Sequence, residues 1–390
     1  MELSKATTEI FSKLEQQWLS DCGSSRKKTR ILCIDGGGTS ADCAGASLVH
    51  LEREIRLRVG DPYARVVDFF DMVAGSGVGA ILVTMLVADD GYGGALFSAG
   101  DAVSFLSSKS NELFNNRTLF GFSRRRFSGR SMEKVLKEAF TRKDGKVMTL
   151  RDTCKPLLVS CFDLKSSAPF VFSKTDAVGS SSFDFELWKV CRATSATPGT
   201  FKPFDFASVD GRTSCSAIDG GIVMNNPAAA AVTHVLHNKR DFPNVSNVED
   251  LLVLSLGNGS SSFLSPKRRK KRFGNSVFST SAVIGIASDG VSEAVDQMLG
   301  NAFCWNRSDY LRIQSNGTAS EGKRGYEVDE GERVLRERGV ETQPFGGKKV
   351  LTENNGERIV RFVGRLVEQG RSRLPSTPSE SSFVAATLNI

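Results

Sequence analysis

The amino-acid sequence predicts an α/β protein with a mostly parallel central sheet covered by helices on both faces. Two observations carry this expectation. Apolar, strand-like runs alternate with helical patterns along most of the chain, and that alternation builds parallel sheets. Three of the runs end in glycine-rich turns: "IDGGG" at 34–38, "AGSGVG" at 74–79 and "IDGG" at 218–221. In an open parallel sheet such turns gather at the strand C-termini along one edge, where ligands bind.

The elements follow in order. Residues 4–20 form an amphipathic helical pattern with Ile10, Phe11, Leu14 and Trp18 on one face, followed by the polar linker "SSRKKTR". Strands are expected at Arg30–Asp35, Phe69–Ala74, Pro156–Phe162, Cys215–Asp219, Leu251–Leu256 and Tyr310–Gln314. Helical patterns lie between or after them in "SMEKVLKEAF", "FELWKVCRA", "PAAAAVTHVLH", "VSEAVDQMLG" and "RIVRFVGRLVEQ". The stretch "RSRLPSTPSESS" is polar and proline-bearing, the composition of a disordered tail. The expected organisation is an N-terminal helix and linker (1–27), one main domain (28–370) and a C-terminal tail (371–390).

With 390 residues, 40% of them hydrophobic, the chain can bury a large core. Its eight cysteines are scattered without CxxC or zinc-like spacing, and several fall inside apolar runs such as "ILCID" and "LLVSCF". They read as small buried hydrophobes in a reducing compartment. The N-terminal stretch has no apolar signal core, and no run approaches the length of a membrane span, so the expectation is a cytoplasmic protein. Six consecutive basic residues, Lys267, Arg268, Arg269, Lys270, Lys271 and Arg272, account for nearly all of the net charge of +7. A second knot is Arg124, Arg125 and Arg126. Concentrated loops of this kind suit an anionic membrane surface, reached peripherally, or a nuclear import receptor, or are simply solvated. They do not form a nucleic-acid groove, and no nucleic-acid partner is expected.

The glycine turns admit several chemistries. "GSGVGA" satisfies G-x-G-x-x-A through Gly75, Gly77 and Ala80, but no acidic residue ends a second strand about 20 positions on, as a dinucleotide site requires. "IDGGGTS" resembles the phosphate loop of actin-like ATPases, but a helical pattern follows it where that architecture places a hairpin. A Ser-His-Asp triad is disfavoured because the only histidines are His50, His234 and His237, none of them after a late strand. No His or Cys pair sits at metal-ligand spacing, so no metal is expected. What remains is a dyad geometry, with Asp219 of the Asp219-Gly220-Gly221 turn as base. Gly36, Gly37 and Gly38 supply amide donors to a developing oxyanion.

These residues resemble the patatin-like lipid acyl hydrolases, most closely the group III plant patatin-related phospholipases A. The resemblance runs through "IDGGG", "FFDMVAGSGVGAIL", "CRATSATPGTFKPF", "AIDGGIVMNNP", "LLVLSLGNG" and "CWNRSDYLRIQ", in that order, over nearly the whole chain. It implies a three-layer α/β/α fold. It also implies a Ser–Asp dyad that releases fatty acids from phospholipids and galactolipids without calcium or another cofactor. On this resemblance Asp219 is the dyad aspartate and Gly36–Gly38 the oxyanion turn. Two departures stand out. Thr39-Ser40-Ala41 replaces the family's continuation of the glycine loop, and the elbow Gly75-Ser76-Gly77-Val78-Gly79 carries Gly77 where the family has its nucleophile serine.

Three expectations follow from the missing serine. Ser76 stands in for it, or a water activated by Asp219 attacks the ester directly, or the pocket binds lipid without hydrolysing it. Phe122, Phe127, Phe263, Leu264 and Phe273, beside the basic knots, are candidates to dip into a lipid surface.

Overall fold

The structure, a computed structural model, describes residues 27–37, 42–114, 129–259, 280–315, 328–343 and 347–371. The N-terminal helix, Gly38 with Thr39–Ala41, both basic knots with their flanking aromatics, and the C-terminal tail therefore lie outside the described residues.

The main sheet contains β1 (Thr29–Ile34), β2 (Met72–Gly75), β3 (Leu157–Asp163), β4 (Ala168–Ser173), β5 (Phe204–Ala207), β6 (Ser214–Asp219), β7 (Leu251–Leu256) and β8 (Tyr310–Ile313). Their order is β5-β6-β3-β2-β1-β7-β8, with β4 on the other edge of β3. The block β3-β2-β1-β7-β8 is parallel throughout, which makes the sheet mostly parallel. A separate antiparallel ribbon joins β9 (Arg338–Gln343) and β10 (Gly347–Asn354).

Pleating divides the core into two layers. Along β1, Leu32 and Ile34 face one cluster while Ile31 and Cys33 face the other, the period-2 alternation of a strand buried on both sides. The first face packs the helices Asp42–Val59, Gly77–Val87, Leu187–Thr194 and Asn355–Arg371. The second packs Ala228–His237 and the long helix Thr280–Ala302. Three α/β/α layers result. The elbow helix Gly77–Val87 is apolar apart from Thr84 and buried at every residue, so it is the central helix of its layer. Cys33, Cys43, Cys161, Cys191 and Cys215 are buried free thiols, and burial pushes Cys43 and Cys191 up to about 12.

One sequence argument needs correction. The three glycine turns were expected to meet because all follow parallel strands, yet β6 runs antiparallel to β3. The meeting comes from how one edge of β3 is shared. β4 covers the opposite edge, while β2 pairs with Leu157–Val159 and β6 with Cys161–Asp163. The two strands therefore approach head-on: Gly75 ends opposite Val159 and Asp219 ends opposite Cys161. Two residues of strand separate them, on the order of 7 Å. The turn after Gly75 fills that gap.

Candidate active site

Each elbow glycine answers a different steric demand. Gly77 has φ +51°, a left-handed conformation that costs other residues about 1–3 kcal/mol. At Gly79 a Cβ would lie 2.3 Å from the Asp35 carbonyl oxygen, so only glycine lets the helix start against the end of β1. The Gly77 N–H donates to Thr194 Oγ1 at 2.9 Å, which pins the turn from the helix Leu187–Thr194.

The first structural turn after that helix reaches Asp219. Thr197 Oγ1 donates to Asp219 Oδ2 at 2.7 Å, the Gly221 N–H donates to Oδ1 at 2.8 Å, and the Asp219 N–H donates to the Ala196 carbonyl. A Cβ at Gly77 would sit 3.5 Å from Asp219 Oδ1, 3.3 Å from Gly36 Cα and 3.8 Å from the Gly37 nitrogen. The carboxylate, the elbow and the first glycine turn thus surround one point, and no side chain occupies it.

Desolvation pushes the Asp219 carboxyl above the usual carboxylate range, while the Thr197 and Gly221 hydrogen bonds pull it down. Among the described residues no charged group acts on it, so there Asp219 is held by neutral hydrogen bonds rather than by an ion pair. Replacing Thr197 by Val removes one stabiliser of the anion. The expected result is a higher Asp219 pKa, read by ¹³C NMR titration of labelled aspartate. A raised carboxyl pKa contributes stability at low pH that is lost as pH rises through it, so Thr197→Val also enlarges the stability loss between acid and neutral pH. An unmoved or lowered titration would remove Thr197 from the site.

The oxyanion expectation is corrected in part. The Gly36 N–H donates to the Asn225 carbonyl at 3.0 Å and is therefore committed to the fold. Gly37, exposed and at φ +101°, keeps its amide beside the gap. Gly38 lies outside the described residues. Ser76, the proposed stand-in nucleophile, is fully buried, and its Oγ has no hydrogen-bond partner among the described residues. It makes no hydrogen bond to Asp219, whose partners are Thr197 and Gly221. Gly220 packs against the β3 backbone, where a Cβ would fall 2.2 Å from the Ser160 carbonyl oxygen.

Residues 32–232 match the Patatin family, described as patatin-like phospholipases. The chain belongs to this family. It is 63% identical over 385 residues to "Probable inactive patatin-like protein 9" of Arabidopsis thaliana, covering 98% of each chain. It is 40% identical over 370 residues to "Patatin-like protein 6" of the same plant, covering 89% of this chain and 73% of that one. Among solved structures, VipD from Legionella pneumophila aligns over 87% of this chain and 67% of its own, with 12% identity and a TM-score of 0.41.

In this patatin-like protein the glycine turn 35–37 has an anchor that the sequence motifs did not single out. Asp35 is buried, and its carboxylate takes Arg312 Nη1 at 2.7 Å and Ser292 Oγ at 2.7 Å. Asn258 Nδ2 donates to the Asp35 and Gly36 carbonyls at 2.6 and 3.1 Å. Ser288, one turn before Ser292 on the helix Thr280–Ala302, donates to the Gly221 carbonyl at 2.6 Å. One helix thereby braces both the glycine turn and the aspartate turn. No histidine takes part: His50 bonds to Arg53 and His234 to Asn238, away from Asp219. Among the described residues no cluster of His, Cys, Asp and Glu forms a metal site, and no helix is long and apolar enough to cross a membrane.

Proposed function

We propose that the protein is a slow lipid acyl hydrolase in which water takes the place of the family's serine. The observation that carries the reading is the carboxylate of Asp219, oriented by Thr197 and Gly221 and 3.5 Å from the vacant Cβ position of Gly77. In the proposed step Asp219 takes a proton from water as the oxygen adds to the ester carbonyl carbon. The Gly37 amide faces the resulting oxyanion. Collapse breaks the ester bond, and Asp219 returns its proton to the departing alkoxide, giving fatty acid and a lysolipid or its alcohol. The substrate class is phospholipid or galactolipid, taken from the family, and the basic runs at 267–272 and 124–126 support work at an anionic membrane surface. The rate is low because deleting a hydrolase nucleophile costs on the order of 10⁶ in kcat.

A second reading, a lipid-binding protein without turnover, is favoured by one observation and one likeness. The Gly36 amide is committed elsewhere, and the relative at 63% identity carries "inactive" in its name. Fatty-acid release from labelled phosphatidylcholine and galactolipid by purified protein separates the two. Release that Asp219→Ala abolishes is the expected result. No release from the natural protein, or release that survives Asp219→Ala, rejects the hydrolase reading.

A further inference from the structure

Asn225 ends the short helix Gly221–Met224 that follows Asp219. Its backbone carbonyl is held by the Gly36 N–H at 3.0 Å, so its position relative to the glycine turn is fixed. The side chain is buried, with 5% of its surface exposed. Its amide oxygen nevertheless has no hydrogen-bond partner among the described residues. A buried acceptor left unsatisfied is destabilising, so a partner is expected.

The surroundings of that oxygen show what fits. A Cβ built on Gly221 would lie 3.1 Å from Asp219 Oδ1 and 3.3 Å from Asn225 Oδ1. A Cβ on Gly36 would lie 2.8 Å from Asn225 Oδ1, and one on Gly77 would be 3.3 Å from Gly36 Cα. Three glycines thus leave out their side chains around a space faced by two acceptor oxygens. A molecule placed there must donate twice and be small. Water meets both conditions, and buried waters typically make about three hydrogen bonds to groups of this kind.

We propose that Asn225 Oδ1 and Asp219 Oδ1 hold one water between them, each accepting one of its hydrogens, beside the place where the family's elbow hydroxymethyl group would stand. With both hydrogens committed, the oxygen's lone pairs turn away from the two acceptors and stay available to an acyl carbonyl carbon. Asp219 removes the proton on its side. Asn225, which does not titrate, fixes the water's orientation by holding the other. The catalytic consequence rests on the water-attack reading above, whereas occupancy by the water does not.

The test has two parts. A high-resolution crystal structure of the natural protein should show an ordered water within about 2.6–3.2 Å of both oxygens. Density bonded to Asp219 alone, or an Asn225 amide turned so that its nitrogen faces the gap, overturns the proposal. In the Gly77→Ser background, Asn225→Ala should lower steady-state ester turnover by about 10- to 100-fold relative to the first-turnover burst. Acylation there uses the tethered hydroxyl, while release of the acyl group needs the positioned water. An equal fall in burst and steady state marks a structural role and overturns it too. Should the natural protein release no fatty acid, the hydrolase reading fails, but the water and the kinetic split still decide the role of Asn225.

Discussion

Gly77→Ser is expected to turn this chain into a much faster lipid acyl hydrolase. The Cβ position at residue 77 is 3.5 Å from Asp219 Oδ1, so a serine Oγ, one bond further out, comes within hydrogen-bond range of its base. That carboxylate is already oriented by Thr197 and Gly221, and the Gly37 nitrogen lies 3.8 Å from the new Cβ. The substitution has two structural costs. Residue 77 sits at φ +51°, where a non-glycine residue carries about 1–3 kcal/mol of strain. The new Cβ also lies 3.3 Å from Gly36 Cα, so the glycine turn must yield by a few tenths of an ångström. A Tm lower by a few degrees should therefore accompany the gain of activity. The rate of fatty-acid release is expected to rise on the order of 10²- to 10⁴-fold. That stays below the roughly 10⁶ that a complete site loses with its nucleophile, because the Gly36 amide cannot serve as a second oxyanion donor. Adding Asp219→Ala to the serine variant should return it to background. A serine variant that folds, loses the expected few degrees and still releases nothing would show that the cleft lacks more than a hydroxyl.

The sequence revealed the layers more readily than the directions within them. Alternating strands and helices located β1, β3, β6, β7 and β8 to within a residue or two, because each is an apolar run bounded by turn chemistry. The direction of β6 was not legible. Its partner is set by the overhang of β3 beyond the end of β2, a length mismatch that no local pattern encodes. The short antiparallel strands β4 and β5 were missed for a similar reason. "APFVFS" and "FDFA" are brief and aromatic, and their phenylalanines pack together around Phe172, Phe185 and Phe206 rather than announcing a period. At the site, Asp219 and Gly77 were legible because their glycine neighbours are. Thr194, Thr197 and Asn225 sit inside motifs quoted whole, yet nothing local tells a hydroxyl that orients a base from one that caps a turn. Ser76 and Gly36 show the limit from the other side. Both residue types suit the chemistry, but burial removes the first and a single backbone hydrogen bond commits the second.

Arg312→Leu is expected to destabilise the protein by about 3–5 kcal/mol, the effect of stranding one charge of a buried pair. Asp35 and Arg312 are 1% and 7% exposed, far too buried for water to replace the lost guanidinium. Arg312 also donates to Ser255 Oγ at 2.8 Å, so the substitution loosens the pairing of β7 and β8 with the same stroke. The pair itself need not stabilise the fold, since its charges were costly to bury. A double replacement, Asp35→Leu with Arg312→Leu, should therefore be less damaging than the sum of the two single changes. The pH dependence separates this account from simple loss of packing. Burial already pushes the Asp35 carboxyl up, and Arg312 and Ser292 oppose it. Without Arg312 the carboxyl rises further and is protonated in the folded state. A raised pKa contributes stability that is present at low pH and lost as pH climbs through it. The deficit of Arg312→Leu in urea unfolding should thus be smaller near pH 4 than near pH 8, whereas a packing defect would cost the same at both. Because Asp35 leads directly into Gly36 and Gly37, the same variant should also abolish the hydrolysis gained by Gly77→Ser, even in the fraction that remains folded.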